Sequence, residues 1–440
     1  MSNNSLVKII GGGLAGSEAA LQLSKRGIKV ELYEMRPKKT TGAHVSSDFA
    51  EFVCSNSLGS FDVTNAGGLL KKEMEILGGE LIKVAYDCSV PAGNALAVDR
   101  ELFSKTVTDK IFNDENITVI NEEVTEIPDG NVIIASGPLT SHDFAESIKE
   151  FTKSEHLYFF DAIAPIVEKE SIDFDKAFFA SRYDKGEASY INCPMNKEQY
   201  EKFYEYLINA PRIELKSFEK DGKVFEGCMP IEIMASRGVD TLRFGPMKPV
   251  GLVDKRTNEI NYAVVQLRQD NTAKTLYNLV GFQTNLKWGA QKELLSLIPG
   301  LENANIVRYG VMHRNTFINS PELLNPTLEA RARKGLFFAG QITGTEGYTE
   351  SIATGMLAGI NMHRYICNLP LCEIPTECML GALTHYISAP QQKHFQPINS
   401  NWAIVKEMDL PKKIRKNKNE KNGLLSSRAQ NVLNEYINNL

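Results

Sequence analysis

Two of the seven cysteines stand in settings that suit chemistry. Cys54 lies in "EFVCSNSLGS", among small polar residues. Ser55, Asn56 and Ser57 offer hydrogen bonds without blocking approach to the thiol. Cys228 lies in "VFEGCMPIEIMASRG", between Gly227 and Pro230. Glycine and proline both break regular structure, so this spacing predicts a cysteine on a reachable turn. Arg237, Arg243 and Lys248 follow, and would favour the nucleophilic thiolate of Cys228 if the chain folds back on itself. Cys88, Cys193, Cys367, Cys372 and Cys378 have no such setting and read mostly as buried, inert thiols. No CxxC pair is present, so no structural metal site is expected. An odd count argues for free thiols in a reducing compartment. His313, in "YGVMHRNTF", is either an acid–base group or a structural histidine.

The elements that must position these thiols begin with "LVKIIGGGLAGSEAALQLSKRGIKVELYEMR". "LVKII" is an apolar run suited to a buried parallel strand. Gly11, Gly13 and Gly16 form GxGxxG, "SEAALQLSKRG" has helical spacing closed by Gly27, and "IKVELYE" is a second strand ending at Glu34. Strand, glycine turn, helix and an acid 18 residues past Gly16 are the context that gives this motif its meaning. The loop Gly11, Gly12, Gly13, Leu14, Ala15 and Gly16 would bring backbone N–H groups against a pyrophosphate, and Glu34 would accept from a ribose diol. An acid there disfavours a 2′-phosphate, and with it NADP as the resident dinucleotide. "GLFFAGQITGTEGYTESIATGMLAGINMHR" repeats the theme near the other end of the chain. A second glycine-turn strand, with Gly340 and Gln341, suits FAD better than a resident NAD, since it can hold the ribityl and the second phosphate. A reduced nicotinamide would then bind only transiently. In that frame Cys54 is expected beside the flavin ring.

These strands place the chain in the α/β class, as a Rossmann-like FAD-binding domain with an inserted α+β domain. Residues 1–160 and 326–400 are expected to form the FAD-binding part, 161–325 the insertion with Cys228, and 401–440 a basic C-terminal helical segment. "YAVVQLRQ" in the insertion reads as an alternating strand, and "PKKIRKNKNEKNG" (411–423) as a solvated surface or a phosphate-contacting element. The 440 residues are 42% hydrophobic and 23% charged, ordinary for a soluble protein. The net charge of -5 excludes a uniformly cationic surface but leaves room for a local basic patch. No apolar run of about 18 residues predicts a membrane span, and "MSNNSLVKII" lacks a signal-peptide layout. A cytoplasmic protein is expected.

Long strings carry a resemblance as well. "GGGLAGSEAA", "EFVCSNSL", "VPAGNALAVDR", "SRYDKGEASYINCPM", "FEGCMPIEIMASRG", "NLVGFQTNLKWG", "YGVMHRNTFINSP" and "FFAGQITGTEGY" closely resemble the folate- and FAD-dependent RNA (uracil-5-)-methyltransferases, the TrmFO family, across nearly the whole chain. That family is related to the larger GidA (MnmG) flavoproteins. The resemblance implies that a one-carbon unit passes from 5,10-methylenetetrahydrofolate, by way of reduced FAD, to C5 of a uridine, with NAD(P)H as reductant. It matches Cys228 to the family's nucleophile and Cys54 to its second functional cysteine. The implied target is the T-loop uridine of tRNA. A ribosomal-RNA uridine is the alternative within the same chemistry, and a flavin oxidoreductase acting on a small molecule is the alternative outside it. Arg36, Lys38, Lys39, His313 and the 411–423 segment are the candidates for RNA contact. One position departs from the family's usual "CSNSLRS": Gly59 stands where an arginine is usual.

Overall fold

The computed structural model describes residues 6–41, 43–153, 157–184, 187–213, 223–224, 229–257, 261–390 and 395–440; for 157–162, 223–224 and 313–314 only the backbone is described. Cys228 and the side chain of His313 lie outside the described residues.

The chain opens as its pattern predicts, with strand β1 (Leu6–Ile10), helix α1 (Leu14–Ser24) and strand β2 (Lys29–Tyr33). β1 and β2 pair in parallel, from Leu6 with Lys29 to Ile10 with Tyr33. They lie inside a five-stranded sheet ordered Leu336–Phe338, Asn131–Ile134, β1, β2, Ile117–Ile120, with every pair parallel. Numbered along the chain, that order is 5-4-1-2-3, the doubly wound arrangement. Val7, Ile9, Ile133 and Phe337 are fully buried, as expected of strands covered on both faces.

The long helix Tyr348–Ile366 packs directly on α1. Small residues allow this approach. A Cβ at Gly355 would fall on the carbonyl oxygen of Ala15, and one at Gly359 would sit 2.9 Å from Cβ of Gln22. The strand and helix from the far end of the chain are thereby fixed to the opening βαβ unit.

The middle of the chain forms a separate six-stranded sheet, ordered Phe178–Ala180, Tyr190–Met195, Ala263–Gln269, Leu276–Leu279, Ile166–Glu168, Ile306–Arg308. All of its pairs are antiparallel. Tyr200, Phe203 and Leu207 from helix Lys197–Asn209, and Leu294 and Leu295 from helix Trp288–Ser296, fill its core with Val265 and Leu267. The expected in–out alternation of "YAVVQLRQ" is not found: only Gln266 in strand Ala263–Gln269 is other than buried. This is a central strand, and its polar end turns to contacts across the molecule, described below.

The C-terminal basic stretch is helical, as Lys412–Lys416 and Lys418–Asn438. Ala429 and Leu433 enter the core of the parallel-sheet part, while Lys412, Lys413, Lys416 and Lys418 stay exposed.

Candidate functional site

A cleft partly open to solvent lies at the C-terminal ends of the parallel strands. Its lining brings together Gly11, Gly13, Leu14, Ala15, Glu34, Gly340 and Gln341. Gly12 and Gly16, in the same turn, are not part of the lining. The glycines have different tasks. A Cβ at Gly16 would collide with the carbonyl oxygen of Gly11, so this residue sets how closely helix and strand pack. A Cβ at Gly13 would meet nothing within 4 Å, so Gly13 leaves space on the cleft side. It also caps α1 without a side-chain bond, leaving first-turn N–H groups for an anion.

Glu34 is 7% exposed. Its Oε2 accepts the Gly12 N–H at 2.9 Å, and its Oε1 accepts both the backbone N–H and Nε–H of Arg36 at 3.0 Å. Burial alone would raise its pKa, but the Arg36 and Gly12 bonds outweigh it and hold the carboxyl below its usual value. A carboxylate has about four acceptor directions, so with three in use one on Oε2 remains for a ribose hydroxyl. Turn, helix end, acid and open cradle fit the adenosine-diphosphate end of a dinucleotide.

Arg36, proposed from sequence as an RNA contact, is instead 2% exposed and sits between two carboxylates. Its second partner is Glu51, 3.4 Å from Nη1. Glu51 in turn accepts from the backbone of Val45 and from both the backbone and hydroxyl of Ser46. Lys38 and Lys39 remain on the surface, near Glu122 and paired with Glu123.

Glu51 begins the Cys54 segment, and that segment is held from several sides. Cys54 is half-buried. Its backbone N–H donates to the Tyr348 hydroxyl at 2.6 Å, and Tyr348 and Val53 line the cleft. Arg100 donates to the carbonyls of Phe52 and Cys54, and is itself paired with Asp270 at 3.0 Å. Arg308 donates to the carbonyls of Ala43 and Val53, both at 2.9 Å. Asn56, fully buried, donates to the carbonyls of Val98 and Gln269 and accepts from Arg268. Arg268, Gln269, Asp270 and Arg308 all come from the antiparallel sheet or its edge, so that sheet braces a loop of the cofactor cleft.

Cys88, Cys193, Cys372 and Cys378 are buried, and burial pushes their thiols up and away from the thiolate. Cys367 is exposed. Among the described residues no group of His, Cys, Asp and Glu could hold a metal, and no helix is long and apolar enough to cross a membrane. Arg243, expected to act on Cys228, lies over the Tyr262 ring at 3.5 Å and donates to Asp240 and the Tyr262 carbonyl. Gly59 takes φ +74 in the edge strand Ser57–Ser60, where its pairing with Ala95–Val98 is irregular, so a left-handed backbone conformation explains its glycine.

Sequence reading missed Tyr348, Glu51, Arg100, Asp270 and Arg308. Glu51 finds Arg36 15 positions away, while the partners of the other four lie between 46 and 294 positions away, and no local pattern encodes such pairings. Arg36 carried a usable signal: an arginine two residues past a strand-end glutamate.

A family profile described as glucose inhibited division protein A matches residues 6–370. The chain is 59% identical over 427 residues to the methylenetetrahydrofolate–tRNA-(uracil-5-)-methyltransferase TrmFO of Bacillus velezensis, covering 97% of each chain. The Bacillus subtilis protein of the same name is also 59% identical over 427 residues, and the Exiguobacterium one 58% over 431. The crystal structure of Aquifex aeolicus GidA matches 98% of this chain and 73% of its own, with a TM-score of 0.70 at 17% identity, a likeness of fold. The chain belongs to the glucose inhibited division protein A family and, within it, to the TrmFO methyltransferases.

Proposed function

We propose that this chain methylates C5 of a uridine in tRNA, the T-loop uridine, with 5,10-methylenetetrahydrofolate as one-carbon donor, FAD as bound cofactor and NAD(P)H as reductant. One observation carries the reading: the Cys54 loop is braced against a cleft that fits a dinucleotide. The names of the relatives specify tRNA and the folate. Gly11, Gly12, Gly13, Leu14, Ala15, Gly16, Glu34, Gly340 and Gln341 are the residues assigned to the cofactor. Bound there, FAD supplies redox and one-carbon carriage that no side chain offers.

The rest falls to two thiols and the RNA surface. Uracil C5 is a poor nucleophile. Attack of a thiolate on C6 forms an S–C6 bond and moves the C5–C6 π pair toward the C4 carbonyl, which makes C5 an enolate carbon. Once C5 has gained its carbon, a base removes the C5 proton and the thiolate leaves C6, restoring the double bond. Cys228 is assigned the attack and Cys54 is the candidate proton acceptor. The target base must leave its stack to reach them. Exposed Lys412, Lys413, Lys416 and Lys418, with Lys38 and Lys39, supply cations for the phosphates. The division into a cofactor part (1–160 and 326–400), an insertion (161–325) and a basic C-terminal segment (401–440) goes with this reading, and a tRNA substrate places the work in the cytoplasm.

The test incubates the enzyme with methylenetetrahydrofolate, NADH and separate tRNA and ribosomal-RNA transcripts, and maps new 5-methyluridine. Methylation of tRNA, lost in Cys228→Ala, is expected. Methylation of ribosomal RNA alone would move the target. A yellow protein that oxidises NADH and methylates neither RNA would overturn the reading in favour of a small-molecule oxidoreductase.

A further inference from the structure

Trp288 and Tyr309 form a stacked pair, with ring centroids 5.2 Å apart and planes 19° from parallel. Trp288 is 60% exposed, so the pair does not serve the core. Stacking of two surface rings is worth little by itself, about 0.5–1.5 kcal/mol. Yet the two ring-bearing segments are held together with care. Gln291 is 1% exposed, and its side-chain amide donates to the carbonyls of Leu286 and Gly310 and accepts the Gly310 N–H, each at 2.8 Å. It ties the turn before Trp288 to the residue after Tyr309. Gly310 has no room for a side chain, since a Cβ there would lie 2.6 Å from the Ile163 carbonyl oxygen.

Three cations stand nearby, two in sequence and one across a β-bridge. Lys287 precedes Trp288, Lys292 follows on the same helix, and Arg212 bridges to Leu286. All three are exposed, and none makes an ion pair among the described residues. Of the two acids on the same surface, Glu302 is paired with Lys176 and accepts the Gly300 N–H, while Glu293 accepts from the Tyr206 hydroxyl and keeps its charge. Tyr309 directly follows Arg308, whose guanidinium holds the carbonyl of Val53, the neighbour of Cys54.

We propose that the Trp288–Tyr309 pair is a stacking platform for an unstacked tRNA base other than the target uridine, with Lys287, Lys292 and Arg212 contacting the adjoining phosphates. This rests on the tRNA reading above. Withdrawing a uridine from its stack leaves a neighbouring base without a partner, and an exposed aromatic face replaces that partner whatever the base. An acidic or apolar protein partner suits the site less well, because an exposed planar aromatic face matches a base.

The test uses the FAD-bound enzyme and a tRNA transcript. Trp288→Ala should raise the Kd and KM for tRNA about tenfold, the range expected for one stacked base, with kcat at saturating tRNA held within about twofold. Trp288→Phe should restore most of the affinity. Because Trp402 is the only other tryptophan, Trp402→Phe leaves Trp288 as the sole emitter, and its fluorescence should fall saturably as tRNA is added. Unchanged tRNA affinity in Trp288→Ala, or no quenching in the Trp402→Phe enzyme, overturns the proposal. A loss of FAD content in Trp288→Ala that Trp288→Phe does not rescue overturns it too, in favour of a structural role. Wild-type methylation of the same transcript tests the underlying activity separately.

Discussion

Arg100 and Asp270 form a buried ion pair, with Nη2 and Oδ1 3.0 Å apart and side chains 9% and 5% exposed. The pair joins a helix of the cofactor part to the residue just past strand Ala263–Gln269. Arg100 spends its remaining donors on the carbonyls of Phe52 and Cys54. The fold and the site are thereby one problem: removing the partner from the inserted sheet leaves a charge buried behind the Cys54 loop.

Asp270→Ala should therefore destabilise the protein by about 3–5 kcal/mol, the usual result of breaking a buried pair on one side. Urea unfolding of the FAD-bound enzyme measures this. Arg100→Met in the same background should recover part of the loss, because both charges are then gone. A loss under about 1 kcal/mol in the single variant would mean that water already reaches the pair.

The glycine turn, Glu34 and the returning strand before Gly340 were legible because each is local: a strand, a turn and a helix within about 30 residues. The bracing of Cys54 was not, because Arg100, Asp270, Arg308 and Tyr348 reach it across the chain from positions that look ordinary in sequence. Arg36 shows the limit most plainly. Composition makes an arginine beside two lysines a surface cation, yet two acids fold around it. The alternation of "YAVVQLRQ" failed for a related reason, since a central strand has no solvent face to mark.

His44 gives the cleft a pH dependence. It is half-buried, and burial followed by the charge of Arg36 draws its pKa down from 6.5 to about 4, against the opposing pull of Glu51 and Glu34 and with a further push from Arg308. The folded state thus keeps this ring neutral where the unfolded chain would protonate it. Its contribution to stability is complete above pH 6.5 and is lost as pH falls toward 4. His44→Gln should flatten the urea midpoint across that window at fixed FAD occupancy, while Glu34, whose folded pKa is also lowered, still costs stability below about pH 4.5. Parallel midpoint curves for wild type and variant would refute the assignment.

Gly59 can be tested against its two explanations. At φ +74 any L side chain is strained, although a Cβ would meet nothing within 4 Å. Gly59→Ala and Gly59→Arg should each lose about 1–2 kcal/mol in unfolding experiments, the cost of a left-handed conformation, and should lose it equally. Any difference between them in tRNA affinity then reads the arginine charge alone, and should fade as salt rises. Full stability in Gly59→Arg would show that the edge strand re-forms around a side chain, and that the glycine is not there for its backbone conformation.

Cys54 and Cys228 should fail in different ways. If Cys228 attacks C6 and Cys54 takes the C5 proton, the two variants stop the reaction on opposite sides of the covalent complex. Cys54→Ala should retain FAD, since no cofactor contact is assigned to its sulfur, and should lose methylation by at least about 10²-fold, the low end for a positioned base. It should still trap 5-fluorouridine RNA covalently, because adduct formation needs only the other thiol. Cys228→Ala should lose both methylation and the adduct. Denaturing gels with labelled 5-fluorouridine tRNA separate these outcomes. An adduct that persists in Cys228→Ala and vanishes in Cys54→Ala would exchange the two roles. The half-buried thiol beside the cleft, with its N–H held by Tyr348, would then be the nucleophile.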